Sequence, residues 1–156
     1  MRVIVCSDSH GRRDLLQKAV DMYSADVLIH LGDHFSDVSA LRLPEGMRVE
    51  CVRGNCDCGG AESEKVLELE GKKILITHGH RYNVKSSLNP LCARMDALGA
   101  HLALYGHTHI PGYEFFGRGI VLNPGAICGN RIGGKSTFAY LEWKRDTQIY
   151  IQMIEV

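Results

Sequence analysis

The sequence lacks net charge, long apolar runs and a signal-peptide pattern. Eighteen basic residues balance eighteen acidic ones, which argues against a nucleic-acid coat protein or a membrane-surface binder, because both depend on charge of one sign. No apolar run approaches the roughly 18 residues of a membrane span. Aromatic residues, at 7%, are too few for a base-stacking groove. We therefore expect a cytoplasmic protein with no membrane contact and no stable nucleic-acid binding.

The six cysteines also lack the spacing of a disulfide framework or a zinc ribbon. Cys56 and Cys58 form a C-x-C pair, and no C-x-x-C occurs elsewhere. A cytosolic chain normally keeps its thiols reduced. We therefore expect six free thiols, and a zinc site built on cysteines is disfavoured.

What the sequence does contain is enough apolar material for one ordinary domain spanning residues 1–156. The hydrophobic fraction is 45%, which suffices for a core without disulfides. An apolar, β-branched run at residues 2–6, helical spacing from Asp14 to about Tyr23 and a second apolar run at 26–30 predict a strand–helix–strand unit with parallel strands. Another strand is predicted at 48–52.

The remaining pattern predicts more strands than helices. Residues 65–69 and 73–77 flank Gly71 as a hairpin, and residues 87–98 have helical spacing that ends at Gly99. Further strands are expected at 101–105, 113–116, 119–122, 137–143 and 148–154. The fold class is therefore α/β, with two packed mixed β-sheets flanked by helices.

Five predicted strands or strand pairs end in loops that carry metal-binding side chains. These residues are Asp8 and His10, Asp33, Asn55, His78, and His107 and His109. Taken singly, each of these residues more commonly caps a helix, forms a turn or faces solvent. Five such loops at one end of a sheet nevertheless predict a shared site. Oxygen and nitrogen donors suit manganese, iron, zinc, nickel or cobalt. Seven ligands are too many for one ion, and two ions need a bridging carboxylate, for which Asp33 is placed.

The order of these motifs resembles the calcineurin-like metallophosphoesterase superfamily. The shared motifs are Asp8-x-His10, Gly32-Asp33, Gly54-Asn55, His78-Gly79 and Gly106-His107-Thr108-His109, and the resemblance extends to the Asn123-Pro124-Gly125 turn. The chain size is similar to that of the compact bacterial and archaeal phosphodiesterase branch. The resemblance implies a metallophosphoesterase-type β-sandwich and a hydrolase that acts on small phosphate esters.

The resemblance also implies how the ligands divide between two divalent ions. One ion is held by Asp8, His10, Asp33 and His109, and the other by Asp33, Asn55, His78 and His107. Manganese is the first expectation, with iron, zinc, nickel or cobalt as alternatives. Asp33 and Asn55 then serve catalysis too, in an in-line attack by a metal-activated water or hydroxide. On an extended segment, His107 and His109 share one face, and Thr108 points away.

The proton donor for the leaving group is the open point of this resemblance. Larger phosphatases of the superfamily have histidine after the asparagine, whereas Cys56 stands here. A thiol is a weak hydrogen-bond donor, so Cys56 is either an acid or a space-filling residue. His80 is either a donor beside the site or a solvated loop residue. The departure predicts a preference for phosphodiesters or activated esters over alkyl monoesters.

Two arginines flank the ligand loops and are candidates for substrate binding. Arg12 and Arg53 are either captors of a phosphate oxygen or solvated cations. His34 follows Asp33, and alternation along an extended loop predicts that it points away from the site. Specificity is expected to lie in residues 34–47, 58–64 and 81–90.

An alternative hypothesis is a protein-interaction scaffold on the same fold without significant catalysis. A retromer subunit resembles these enzymes but has lost part of the metal site, whereas all seven positions here carry competent residues. Exposed strand edges in the C-terminal third are compatible with a homodimer or homotetramer.

Overall fold

The computed structural model describes residues 1–129, 134–143 and 148–156. These residues form ten strands, two α-helices and two 3-10 helices. The strands are β1 (Arg2–Cys6), β2 (Val27–His30), β3 (Arg48–Cys51), β4 (Glu64–Leu69), β5 (Lys72–Thr77), β6 (Leu102–Leu104), β7 (Gly112–Phe116), β8 (Gly119–Asn123), β9 (Thr137–Trp143) and β10 (Ile149–Glu155). The helices are α1 (Arg13–Met22) and α2 (Asn89–Ala97), and the 3-10 helices are Phe35–Ala40 and His80–Tyr82.

Every predicted strand and helix is present, and each end lies within two residues of its predicted position. Gly99 follows α2 with a φ of 60° and donates its amide to Asp96 O at 2.9 Å, which confirms that Gly99 caps the C-terminus of the helix. The pattern did not reveal the 3-10 helix Phe35–Ala40, which lies in a segment predicted as loop.

The strands form two five-stranded mixed sheets, as the sequence predicts. The first has the order β10-β9-β1-β2-β3 and the second the order β4-β5-β6-β8-β7. In the first sheet β1, β2 and β3 are parallel to one another, β9 is antiparallel to β1, and β10 is antiparallel to β9. In the second sheet β5, β6 and β8 are parallel, and β4 forms the predicted hairpin with β5.

Alternation along β1 shows how the layers are built. Val3 and Val5 belong to the main core between the sheets, where they join residues of β5 and β6. Ile4 and Cys6 belong to a second core, where they join α1. A third core joins α2 to the outer face of the second sheet. Each sheet is therefore buried on both faces where a helix covers it.

The parallel strands bring their carboxyl ends to one edge of each sheet. The segments that follow β1, β2, β3, β5 and β6 contain the predicted ligands. Among the described residues, no helix is long and apolar enough to cross a membrane.

Candidate metal centre

Backbone and side-chain hydrogen bonds join the loops of the two sheets. Asp8 N donates to Gly32 O at 2.9 Å, within the first sheet. The His107 amide donates to Asp8 Oδ2 at 3.1 Å, and His78 Nδ1 lies 2.8 Å from Leu31 O. The ligand loops of both sheets therefore meet at a single site.

Two buried carboxylates lie between the predicted histidine ligands. Asp33 Oδ2 is 3.6 Å from His10 Nε2 and 3.5 Å from His78 Nε2. Asp8 Oδ1 is 3.1 Å from His109 Nε2 and 3.9 Å from the Nε2 atoms of both His10 and His78. Asp33 therefore lies between one histidine from the first sheet and one from the second.

The histidines form two pairs. The ring centroids of His10 and His109 are 5.7 Å apart, and those of His78 and His107 are 5.0 Å apart. The ligand atoms of Asp33, His78 and His107 all lie within 4.8 Å of one another. The structure thus brings six of the seven predicted ligands together in two groups on either side of Asp33.

Two buried polar atoms at the site have no hydrogen-bond partner in the described part of the chain, namely Asp8 Oδ1 and His78 Nε2. Both residues are 0% exposed. The contact with Leu31 O requires the proton of His78 to be on Nδ1, so the lone pair of Nε2 faces the carboxylates. Buried polar atoms are normally satisfied, and a divalent cation would satisfy both atoms. The residues fit a metal ion.

The electrostatics of the site favour positive charge. Burial raises the pKa of Asp33, but the neighbouring His78 imidazole and the hydrogen bond from the Cys56 amide outweigh it and hold the pKa below its ordinary value. The Asp8 carboxylate, whose Oδ1 lies 3.1 Å from His109 Nε2, is the main reason why the pKa of His109 rises to about 10. The pKa of His107 falls to about 4, chiefly through burial and then through the charge of His78. Two ionised carboxylates therefore attract either imidazolium protons or a cation.

Much of the backbone at the site is left-handed. Non-glycine residues with φ between 43° and 69° here are Asp8, His10, Asp33, His34, His107 and His109. This conformation is uncommon outside glycine, although Asp and His tolerate it best. Such residues cluster at functional sites because the surrounding structure must hold them in place.

Three glycines allow the loops to pack closely. A Cβ on Gly32 would lie 2.5 Å from Gly54 N, and one on Gly54 would lie 2.1 Å from Asp33 Oδ1. A Cβ on Gly106 would lie 1.9 Å from Ser7 Oγ. The three motif glycines are therefore required by contact and not only by turn geometry.

Asp57 is a positioning residue that the sequence did not single out. Its Oδ2 accepts the amides of Asp33 at 2.8 Å and Gly54 at 2.7 Å, and its Oδ1 accepts the His34 amide at 2.8 Å. It therefore ties the loop after β2 to the loop after β3. Its position in the 54–57 segment could have indicated this role, because aspartates in turns often accept hydrogen bonds from nearby backbone amides.

A buried polar network supports the loops after β1 and β2. His30 Nε2 lies 3.1 Å from Ser9 Oγ, which donates to Asp37 Oδ2 at 2.8 Å. Asp37 also accepts the Gly11 amide at 2.8 Å and Arg13 Nε at 2.9 Å. Burial is the main reason why the pKa of His30 falls to about 4. His30 is therefore a neutral internal hydrogen-bonding residue, as expected for a residue inside a strand.

Asn123 performs the same supporting role for the loop after β6. Its Nδ2 donates to Gly106 O at 3.0 Å and to Thr108 Oγ1 at 2.9 Å, and its Oδ1 accepts the Gly125 amide at 2.9 Å. The Thr108 hydroxyl therefore faces Asn123, in agreement with the prediction that Thr108 points away from the ligands. The predicted turn at 123–125 lies beside the site because Asn123 binds the histidine loop.

Two cysteines lie closer to the histidines than their spacing indicated. Ligand atoms of His10, Asp33 and Cys56 lie within 4.8 Å of one another, and so do those of His10, His109 and Cys128. All six cysteines are free thiols, as predicted. Cys128 had no recognisable motif. The side chain of Asn55 is exposed, and its Nδ2 lies 3.3 Å from Cys56 Sγ, which places Asn55 at the rim of the site.

The remaining candidates occupy different positions around the centre. The ring centroid of His80 lies 5.4 Å from that of His78, and its Nδ1 is a buried atom without a partner in the described residues. Burial is the main cause of a lowered His80 pKa, to which the charge of Arg53 contributes. Arg12 instead pairs with Asp14 at 2.9 Å on the surface.

Two expectations about side-chain direction used the wrong backbone geometry. His34 was expected to point away from the site, but its ring centroid lies 5.2 Å from that of His10. His107 and His109 do reach one centre, but not on an extended segment. Because the φ angles of all three are positive, the alternation of an extended chain does not apply to them.

The segments predicted to govern substrate specificity line grooves on the surface. One of about 1020 Å³ is lined in part by residues 35–43 and 60–62. Another, of about 510 Å³, is lined by residues 84–88, 105–114 and Val121, with gaps. All three segments predicted to govern specificity therefore contribute to a groove.

Comparison with known proteins agrees with this geometry. Residues 1–146 match the calcineurin-like phosphoesterase superfamily domain. The chain is 36% identical over 149 residues to a probable metallophosphoesterase, YsnB, of Bacillus subtilis, with 94% of this chain and 86% of the relative covered. It is 27% identical over 169 residues to the phosphodiesterase YfcE of Escherichia coli, with 91% and 88% covered.

A solved structure of wild-type Vps29 from Entamoeba histolytica, complexed with zinc, is similar in fold, with a TM-score of 0.74. It is 19% identical, and 99% of each chain is covered. The two mixed sheets, the ligand loops between them and the match over residues 1–146 lead to one conclusion: the chain belongs to the calcineurin-like phosphoesterase superfamily.

Proposed function

We propose that this chain is a dinuclear metal-dependent phosphodiesterase. The observation that carries the proposal is the position of Asp33 Oδ2, which is 3.6 Å from His10 Nε2 and 3.5 Å from His78 Nε2. A carboxylate in this position can serve both histidine groups, and two ions in one site need such a bridge. The name of the relative YfcE, a phosphodiesterase, supports the substrate class.

The ligands would divide as the two histidine pairs do. Asp8, His10, Asp33 and His109 would hold one divalent ion, and Asp33, Asn55, His78 and His107 would hold the other. When bound, the ions would acidify a water nucleophile and offset the charge of the phosphoryl oxygens, for in-line hydrolysis. Manganese is the first choice, with iron, zinc, nickel or cobalt as alternatives.

The chain itself would orient the imidazoles and hold their protons. Leu31 O lies 2.8 Å from Nδ1 of His78 and Gly129 O lies 3.3 Å from Nδ1 of His109. A proton on each Nδ1 would leave each Nε2 to bind a metal ion. Asp57 would hold the Asp33 backbone in register with Gly54. Arg53, whose charge is felt at His80, is the better placed of the two arginines to receive a phosphate oxygen, because Arg12 is paired with Asp14.

Replacement of Asp33 by Asn tests the proposal directly. We expect metal content measured by elemental analysis to fall below two ions per chain, and hydrolysis of bis(4-nitrophenyl) phosphate to be lost. Asp14→Asn, in an exposed ion pair, is the matched control and should retain both. A fully active Asp33→Asn enzyme would rule out the bridge.

The diester preference rests on the proton donor, for which Cys56 and His80 remain the candidates. Burial is the main cause of the raised Cys56 pKa, so the thiol stays protonated, but it is a weak donor. We expect an aryl diester to be hydrolysed faster than an alkyl monoester. His80→Gln and Cys56→Ser should slow esters with poor leaving groups more than nitrophenyl esters, if either side chain donates the proton.

A catalytically inert scaffold is the alternative function, and the fold shared with Vps29 is its only support. At 19% identity that similarity concerns the fold alone. An inert scaffold would bind metal without hydrolysing any of a panel of phosphodiesters across several divalent metals, so that panel separates the two functions.

We further propose that residues 1–156 act as one domain in the cytoplasm and associate into a homodimer or homotetramer. Strand β7 lies at the edge of its sheet, all five of its residues are exposed, and Phe115 is 77% exposed. An open edge with apolar side chains favours pairing. Light scattering coupled to gel filtration measures the assembly, and a monomer at every concentration would exclude it.

A further inference from the structure

The groove of about 510 Å³ beside the histidine loop has a size typical of small-molecule sites. Its walls come from residues 84–88 on one side and 105–114 on the other. Thr108 lines it and stands between the two candidate ligands His107 and His109. The groove is therefore continuous with the loop that carries these two imidazoles.

Most of the groove's lining is apolar. Leu88, Ile110 and Val121 line it together with the aromatic rings of Tyr105 and Tyr113. Ile110 is 63% exposed and Tyr113 is 46% exposed, so neither is buried in a core of this chain. Exposed apolar side chains grouped in one concavity commonly mark a binding site.

Lys85 connects the groove to the candidate metal centre. It lines the groove together with its neighbour Val84, whose Cγ2 would lie 2.9 Å from a Cβ on Gly79, the residue that follows His78. The ammonium group can therefore meet a phosphoryl oxygen held at the centre while the rest of the groove stays apolar.

Glu114 also lines the groove. It follows Tyr113 on β7 and supplies a carboxylate. A second phosphate placed in the groove would be repelled by this carboxylate, whereas a neutral group would not be. The lining thus favours a neutral apolar occupant joined to a single anionic phosphate.

We propose that this groove binds an aromatic substituent of the phosphodiester, with Tyr113 against the ring and Lys85 against the phosphate. The inference rests on the proposed function, because it assumes that the phosphate lies at the metal centre. It names the substrate class as diesters with at least one neutral aromatic arm. Lys85 then contributes to the binding of every phosphodiester, and Tyr113 contributes only to the binding of aromatic ones.

Two unactivated ligands separate these contributions, namely diphenyl phosphate and dimethyl phosphate. Their dissociation constants are measured by titration calorimetry on the metal-loaded protein. We expect the wild type to prefer diphenyl phosphate by about tenfold, the scale on which apolar contacts discriminate. Tyr113→Ala should remove most of this preference, and Lys85→Met should weaken the binding of both ligands by a similar factor.

Phe116→Ala is the matched control, because Phe116 lies at the other end of the same strand, is 42% exposed and does not line the groove. It should keep the preference. Equal affinity of the wild type for both ligands, or an unchanged preference in Tyr113→Ala with normal metal content, would overturn the inference.

The two proposals fail in different ways. A protein that binds diphenyl phosphate through Tyr113 but hydrolyses no diester contradicts the proposed function and leaves the groove assignment standing. A protein that hydrolyses diesters with no preference for aromatic arms contradicts the groove assignment alone.

Discussion

Asp57 offers the sharpest test of how the site is held together. Its carboxylate accepts three backbone amides, of which those from Asp33 and Gly54 are partly buried and that from His34 is exposed. A hydrogen bond to a charged group contributes about 1.5 kcal/mol or more. The two partly buried bonds together therefore contribute about 3 kcal/mol, while water can replace the exposed one.

We expect Asp57→Ala to lower the free energy of unfolding by about 3 kcal/mol, measured by urea titration of the metal-free protein so that metal binding does not contribute. Asp57→Asn can keep both partly buried bonds on its one amide oxygen but loses the charge, and it should lose about half as much because charge-assisted hydrogen bonds are about twice as strong as neutral ones. Metal affinity, measured by calorimetry, should fall as well, because Asp33 is no longer held against Gly54.

Asp14→Ala is the control for this prediction. Asp14 pairs with Arg12 on the surface, and exposed pairs of this kind contribute little to stability. If Asp57→Ala and Asp14→Ala had the same stability, the reasoning about the amide anchor would be refuted.

Two further predictions concern the packing and the pH response of the site. Gly106→Ala places a Cβ 1.9 Å from Ser7 Oγ, whereas Gly112→Ala meets nothing within 4 Å; we expect only the former to lower thermal stability and metal content. His30 stays neutral to about pH 4 when folded, against 6.5 ordinarily, so the unfolded chain binds the extra proton and stability is lost as the pH falls from 6.5 to 4, by on the order of 3 kcal/mol. His30→Gln should make urea-measured stability less dependent on pH across this window, and an unchanged slope would contradict the assignment.

The positions of the strands could be predicted because local pattern decides them. The β-branched run of β1 ends just before Ser7 and Asp8, and β2 ends at His30, shortly before Gly32 and Asp33. Parallel pairing then places these ends together, which is why the sequence alone gathered the ligand loops at one edge. The helix ends varied most, since residues at helix termini have weaker signals.

The direction of the loop side chains could not be predicted in the same way. Periodicity describes extended or helical backbone, whereas His34, His107 and His109 have left-handed φ angles. The expectation for His34 was wrong for this reason. The expectation for the other two histidines reached the right site by an argument that their backbone does not obey.

The supporting contacts could not be predicted because the two partners of each contact are distant in sequence. Asp57 binds the Asp33 amide across 24 positions, and Asn123 binds Gly106 O across 17. Cys128 comes within metal-binding distance of His10 only through the folded arrangement. Such contacts follow from the docking of loops from two sheets, which no single segment encodes.

The residues with positive φ explain why the site needs the supporting contacts of Asp57 and Asn123. Six non-glycine residues at the site have positive φ, and each such residue costs on the order of 1 kcal/mol. Against a net stability of about 5–15 kcal/mol for a domain, that strain persists only where anchors oppose it. Asp57 and Asn123 fix the backbone on either side of the carboxylates. The imidazoles are thus held in place by the fold itself, so a metal ion would need little rearrangement to bind, and loss of an anchor should weaken metal affinity even where every ligand remains.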